Sequence, residues 1–440
     1  MRRIGVATAC LALALAAGAC GGVETGSSGT AQAPAANEKV SLSVWSKFSG
    51  RELGLLQKAL DGFHGKHPNI TVDNRGGQDD DKVAQAIRGG NPPDVAISFS
   101  TDNIGQFCSS GAWQDLKPYI TRDKLDLNQI PAATRTYTEF KGTRCAMPLL
   151  ADVYGLYYNK AMFAKAGITA PPKTMSELFE YAKKLTVFNP DGSIKVAGFV
   201  PTIGFYSNHV QMWAANWGVQ WKGQDGKSAL GTDPQWQAML EWAKKFTDFY
   251  GKDKLAKFTA GLGQEYSPDQ AFEKGQIAMA MDGEYRTAFI TAEAPDLDYA
   301  TAPFPVADNK PDLYGGGYTT GTIIGIPKGA KNAGAAWELV KYMSTDTGAL
   351  QGLAQGLKNV PSTVPSLQDP TLQQDEHFKT FLDIFANPNL STNPASSNGG
   401  AYLKTAEDFA TSYQSGGVPD LKAGLAKTAA QIDADAQLGG

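Results

Sequence analysis

Aromatic side chains stand beside short polar ones at positions that read as strand ends or loops. They are Trp45, Phe48, Tyr154, Trp213, Trp217, Tyr285 and Tyr318, with Gln78, Ser100, Asp102, Asp152, Glu284 and Arg286 near them in the chain. An aromatic face covers an apolar C–H surface, while carboxylates, amides and backbone groups satisfy hydroxyl edges. That combination suits a sugar in a pocket of apolar walls with a few aimed polar groups. Gly315, Gly316 and Gly317 would let backbone approach such a ligand closely, although they equally suit a flexible loop. Trp213, Trp217 and Trp221 recur every four residues, which also fits a buried helix face. Trp236, Trp242 and Trp337 lie in helical patterns and are assigned to core, and core packing suits Trp113 as well.

Patterns for catalysis are missing from the sequence. It holds no Ser-x-x-Lys, Gly-x-Ser-x-Gly or His-Glu-x-x-His. Gly226-Lys227-Ser228 resembles the end of a phosphate loop, but Trp221 stands where the first glycine must be. His64 and His67 have no acid or cysteine at ligand spacing and read as a solvated helix end. Asp79-Asp80-Asp81 lacks the glycine turn and later ligands of a calcium loop. A carboxylate pair for glycoside hydrolysis is spatial rather than sequential, so the sequence leaves it open. No metal site, no cofactor and no enzymatic activity are expected.

The elements that must position these residues centre on Pro148 to Lys160, an apolar, aromatic-rich run that reads as extended. Asp152 is the one acid inside it, and Asn159 suits the cap of a helix from Lys160 to Gly167. Before it, strands at Val40–Trp45, Asn69–Asp73 and Asp94–Ser98 alternate with helices at Arg51–Lys66 and Asp79–Arg88. This βαβαβ order implies a parallel sheet with right-handed crossovers, whose ligands bind outside the carboxyl ends of the strands. After it, Thr174-Met175-Ser176-Glu177 is a capping box, and Pro234–Tyr250 is an amphipathic helix. Ile277–Met281 follows Gly275, Thr322–Ile326 reads as a strand, and Asn332–Ser344 as a helix. A short break at Asn359–Ser362 is followed by sequence that reads as helical to the end. The run near 150 is therefore the first crossing between two lobes.

Length and composition agree with two domains. The chain has 440 residues, 42% apolar and 19% charged, too long for one simple core. Its formal charge is −4, and residues 1–19 carry Arg2 and Arg3 and no acid, so a chain starting at Cys20 would be −4 − 2 = −6. That balance gives no support for a nucleic-acid partner. Residues 1–19 have the charged and apolar regions of a secretion signal. They end in Ala17-Gly18-Ala19-Cys20, which resembles a lipoprotein processing site with alanine where leucine is commonest. Lipidation is expected at Cys20, with a plain secretory signal as the alternative, and residues 20–39 read as a flexible tether. Cys10 leaves with the signal, so Cys108 and Cys145 remain as a pair in an oxidising compartment, and a disulfide is expected.

Several stretches resemble one family. They are Pro92-Pro93-Asp94-Val95; Pro148 with Tyr157-Tyr158-Asn159-Lys160; Phe272-Glu273-Lys274-Gly275-Gln276-Ile277-Ala278-Met279 with Gly283; Gly325-Ile326-Pro327-Lys328-Gly329; and Ala335-Ala336-Trp337-Glu338-Leu339-Val340-Lys341-Tyr342. In this order they resemble the extracellular solute-binding proteins of bacterial ABC importers, in the carbohydrate group related to maltodextrin-binding protein. The resemblance implies an α/β, two-lobed periplasmic-binding-protein-like fold with a ligand cleft between the lobes. Lobe one would be 40–148 plus 304–358, and lobe two 149–303 plus 359–440. It implies a monomer that binds a carbohydrate and delivers it to membrane permease subunits, anchored to the outer face of the cell membrane. A polyol phosphate is the alternative ligand; it would need a basic cluster, for which Arg286 and Lys47 are the candidates. A secreted glycosidase and a surface adhesion or sensor lipoprotein are further alternatives.

Overall fold

The computed structural model describes residues 31–438. The signal and the lipidation site at Cys20 lie outside the described residues. The strands are β1 (Val40–Ser46), β2 (Ile70–Arg75), β3 (Val95–Ser98), β4 (Met147–Asn159), β5 (Val187–Phe188), β6 (Ile194–Phe199), β7 (Ile277–Gly283), β8 (Tyr299–Ala302), β9 (Gly317–Gly325), β10 (Val360–Pro361) and β11 (Leu390–Ser391). They order as β2-β1-β3-β9-β4-β7-β6-β5, with β8 and β10 also on β4 and β11 on β9. β1 pairs in parallel with both β2 and β3, as the alternation of strands and helices requires. Leu42 and Val44 bury one face of β1 against Leu56, Leu60 and Phe63 of the helix Gly50–Lys66.

Two lobes follow from two apolar cores. The first gathers β1, β3, the start of β4 and the helix Ala333–Thr345 with Trp337. The second gathers Leu156, Phe199, Met239 and Phe246 with Trp213 and Trp236. A smaller cluster holds Phe107, Trp113 and Ile323 around Cys108 and Cys145, which are joined in a disulfide. Capping follows local sequence. Thr174 and Glu177 form the reciprocal box, Asp79 accepts from Lys82 N, and Asn159 accepts from Met162 N.

β4 and β9 run antiparallel through both lobes and pair from Met147–Ile324 to Val153–Thr319. β10 adds to the same β4 segment at Leu150 and Ala151, making a third crossing. One face of this ribbon is covered by the helix Glu376–Ala386. A Cβ at Gly155 would stand 2.9 Å from Phe381. Phe378, Phe381 and Phe385 of that helix join the first core, although residues 359–440 were expected to belong with the second lobe. Strand alternation turns Asp152, Tyr154, Tyr318 and Thr320 to the other face, between the lobes.

Three expectations are corrected. β9 begins at Gly317, not at Thr322, because its first residues pair with β11 and with β4. The segment 392–400 is not helical; serine, asparagine, proline and glycine favour turns there. The later part of the expected tether is held against the first lobe. Ala31 O accepts from Arg122 Nη1 at 2.9 Å, and Asn69 Nδ2 donates to Ala35 O at 3.1 Å and to Glu38 O at 3.0 Å. Among the described residues no helix is long and apolar enough to cross a membrane.

Candidate functional site

The floor between the lobes is the face of the β4–β9 ribbon opposite the helix Glu376–Ala386. Tyr154 and Tyr318 lie side by side there with ring centroids 5.9 Å apart. Thr320 Oγ1 meets Thr101 Oγ1 of the first lobe at 2.7 Å. Asp152 is half-buried. One of its oxygens accepts from Asn359 Nδ2 at 2.6 Å, and the same nitrogen stands 2.9 Å from Glu284 Oε1. Glu284 is fully buried, and its other oxygen accepts from Val153 N at 2.7 Å. Burial raises the pKa of both carboxyls; the Asp152 charge raises that of Glu284 further, while hydrogen bonds with Glu284 and Asn359 offset part of the rise at Asp152.

The first lobe contributes the carboxyl ends of its parallel strands. Phe48 packs edge-on against Phe99, with centroids 4.6 Å apart, and Phe99 remains 38% exposed. Gln78 N is tied to Ser46 O at 2.8 Å, which fixes the loop after β2 beside the end of β1. Ser100 N donates to Ser98 Oγ at 3.1 Å, ahead of the short helical turn carrying Asp102. Asp102 has Asn393 Nδ2 at 3.5 Å, and burial raises its pKa. Asn393 also donates to Tyr318 Oη at 2.9 Å, so the segment after β11 joins the first lobe's acid to the floor. That segment touches the first lobe closely: a Cβ on Gly105 would stand 2.1 Å from Ser396 O.

The second lobe presents Tyr285 and Tyr266, with centroids 6.0 Å apart, and Tyr266 is 61% exposed. Gly283 is required here, since a Cβ would stand 2.3 Å from the Tyr285 ring. Ser207 Oγ lies 2.9 Å from Glu265 Oε1 and 3.5 Å from Tyr285 Oη. Tyr206, at φ 49, holds a left-handed backbone that a bulky side chain rarely adopts. Its ring stacks on Phe205 at 3.9 Å, and its hydroxyl donates to Gly263 O at 2.6 Å. A cavity of about 470 Å³ opens alongside Tyr318, between Thr136 of the first lobe and Gln211 and Trp221 of the second, under Asn393.

Gln78, Ser100, Asp102, Asp152 and Tyr285 are partly exposed, Phe48, Tyr154 and Tyr318 are buried at the edges of the two cores, and the geometry moves others away. Trp45 is half-buried on the flank of the first lobe, in a depression with Ser43, Arg75, Pro93 and Lys331, because it alternates with the core residues Val44 and Ser46. Trp213 and Trp217 take the buried-helix alternative, packing on Trp242 at 5.4 and 6.0 Å. Arg286 is 1% exposed and directed inward: Nε meets Asp282 at 2.7 Å, Nη1 meets Glu273 at 3.2 Å, and Nη2 donates to Glu265 O at 2.8 Å. Gly316 and Gly317 do allow a close backbone approach, but it is to the chain at Asn389 and Leu390. Glu284 reaches the facing surface only through Asp152 and Asn359. Sequence reasoning missed Asn359, Asn393, Tyr206 and Tyr266. The Ser/Asn/Pro/Gly run from 391 to 400 was a loop signal for Asn393, and the break at Asn359–Ser362 marked the place of Asn359 but not its partners.

Residues 49–350 match the model of the bacterial extracellular solute-binding protein family. The chain belongs to that family. This solute-binding protein is similar to the maltotriose-binding protein of Pyrococcus abyssi, 24% identical over 338 residues, which are 76% of this chain and 68% of the relative. It is also similar to the solved structure of CpMnBP1 with mannotriose bound, at 26% identity and a TM-score of 0.76, covering 89% of this chain and 99% of that one. The sn-glycerol-3-phosphate-binding periplasmic protein of Brucella abortus is 28% identical over 215 residues, 44% of this chain and 45% of the relative.

Proposed function

We propose that this solute-binding protein captures a carbohydrate, a short oligosaccharide, between its lobes and delivers it to the permease of an ABC importer. One observation carries the reading. The floor of Asp152, Tyr154 and Tyr318 is flanked by two aromatic pairs, Phe48–Phe99 and Tyr266–Tyr285, while Arg286 is neutralised by its own acids. Rings would stack on pyranose faces, and Asp152, Asp102 and Gln78 would accept or donate at hydroxyl edges. The Gly105–Ser396 contact supports closure of the lobes over the ligand, with hinge motion at the three crossings. The relatives that bind maltotriose and mannotriose point to the same ligand class. The protein acts as a monomer, anchored by lipidated Cys20 at the outer face of the cell membrane.

A second reading, a polyol phosphate, is favoured by the glycerol-phosphate-binding relative. It would need a basic cluster, but of its two candidates Arg286 is buried between Asp282 and Glu273, which leaves the exposed Lys47 alone. A glycosidase reading would use Asp152 and Glu284 as its acid pair. Those carboxyls share one amide donor and contact each other, which leaves no room for a sugar carbon between them. Titration calorimetry with maltotriose, mannotriose and sn-glycerol 3-phosphate tests the proposal. Binding of a trisaccharide that is recovered intact supports it. Binding of the phosphate alone, or release of smaller sugars, overturns it.

A further inference from the structure

Asp152, Glu284 and Asn359 come from three separated parts of the chain and meet at one point. Asp152 lies on the first crossing, Glu284 directly follows β7, and Asn359 directly precedes β10 on the third crossing. Asn359 Nδ2 lies within hydrogen-bond distance of both carboxyls, at 2.6 and 2.9 Å, and Val153 N holds the remaining Glu284 oxygen at 2.7 Å. Two ionised carboxylates in contact, with Glu284 fully buried, would repel strongly in a medium that screens little. A cation could relieve this, but the two nearest in sequence are engaged elsewhere. Arg286 pairs with Asp282 and Glu273, and Lys358 Nζ reaches Asp375 at 2.9 Å.

The other titratable groups around the pair are tyrosines. Tyr154 and Tyr157 come from β4, Tyr318 from β9 and Tyr137 from the turn after the helix Ala132–Thr136. Asp282 and Arg286 act on Tyr157 from the β7 side, and Tyr266 acts on Tyr154 from the second lobe. None of the tyrosines supplies a positive charge. A proton between the two carboxyls is therefore the remaining way to satisfy the cluster: one carboxyl donates to the other, and the Asn359 amide braces both.

We infer that Glu284 and Asn359 are positioning residues, which hold the Asp152 carboxyl toward the space between the lobes through one shared proton. The inference rests on the proposed function in one respect, that Asp152 faces a ligand. Asp152 is partly buried on the ribbon face turned between the lobes, and Asn359 ties its carboxyl to that of Glu284. Because Asn359 and Asp152 lie on different crossings, a change in the hinge would change how that carboxyl is aimed. Loss of the proton would place two charges at the hinge and loosen the same point. The folded cluster keeps a proton that the unfolded chain gives up, so stability should fall as pH rises above the ordinary carboxylate range.

The test compares the purified wild-type protein with Glu284→Gln, Asn359→Ala and Asp152→Asn. The glutamine amide can donate to Asp152 as the protonated acid does, but it cannot lose that proton. Infrared difference spectra against Asp152→Asn at pH 7 should show a protonated carboxyl in wild type and none in Glu284→Gln. The wild-type melting temperature should fall between pH 5.5 and 8.5, and the fall should vanish in Glu284→Gln. Maltotriose and mannotriose affinity, where present, should weaken about tenfold in wild type over that range, stay level in Glu284→Gln and drop about tenfold in Asn359→Ala at pH 7. A wild type without the protonated-carboxyl band, or with the same melting profile as Glu284→Gln, overturns the inference. If band and profile are as expected but neither trisaccharide binds any variant, the carbohydrate reading fails and the shared proton stands.

Discussion

Asp282 and Glu284 are two residues apart at the end of β7, both are almost wholly buried, and their charges are handled in opposite ways. Asp282 meets Arg286 at 2.7 Å, with Glu273 on the far side of the same guanidinium at 3.2 Å. Glu284 meets another acid. A guanidinium presents several fixed donors and stays charged, so the Arg286 cluster keeps its arrangement across the neutral range. A shared proton responds to pH. The rigid cluster lies within the second lobe, where it holds the loop carrying Glu265 beside Ser207 and Tyr285. The responsive one lies where the crossings meet. Burying an acid is thus no guide to its role until its partner is known.

Arg286→Ala leaves Asp282 and Glu273 buried without a counter-charge and should cost about 3–5 kcal/mol of folding stability, read by urea denaturation. A loss below about 1 kcal/mol would mean that the two acids had found another partner. At the other cluster, wild-type stability should decline by about 2 kcal/mol as pH rises from the ordinary carboxylate range through neutrality, because burial raises the pKa of both Asp152 and Glu284. The sign follows from a carboxyl whose pKa is raised on folding: the folded state binds more protons, so alkali favours unfolding. Asp152→Asn should flatten that profile in thermal melts.

Tyr285→Ala removes a ring beside Tyr266 and should weaken trisaccharide binding by about 2 kcal/mol, measured by calorimetry with stability checked in parallel. His209 offers a weaker pH effect of a different kind. Its Nδ1 meets Glu407 at 2.8 Å, and this contact raises its pKa. The pair is about a third exposed, so its contribution should stay below about 1 kcal/mol; it is present in acid and lost as pH rises past the raised pKa, and His209→Gln should remove it. Trp45→Ala is expected to leave trisaccharide affinity unchanged, because Trp45 lies on the flank of the first lobe.

Local chemistry was enough for much of the scaffold. The alternation Val40–Trp45 with the leucines of Arg51–Lys66 announced β1 and its crossover helix, and the Thr174–Glu177 box fixed a helix start through bonds three residues apart. Subtraction among four cysteines pointed to the Cys108–Cys145 bond. The candidate site was less legible, since each doubtful residue had two readings of equal local merit. A spacing of four puts Trp213 and Trp217 on one helix face without saying what covers it; Trp242, on another helix, covers it. Three successive glycines announce a close approach at 315–317, but its occupant is the chain near Asn389.

By itself, then, the sequence determined the elements whose signals are complete within a few turns: strands of period two, capped helices, the acid at the centre of the first crossing and the family to which such an order belongs. Tertiary structure alone decided what each buried charge would meet. Arg286 finds Asp282 four residues back, on the preceding strand, but Glu273 thirteen residues away, and Asp152 finds Asn359 after 207 residues. Hydrogen bonds and charges act over a few ångströms, and contacts made across that much chain exist only once the lobes and their crossings have folded.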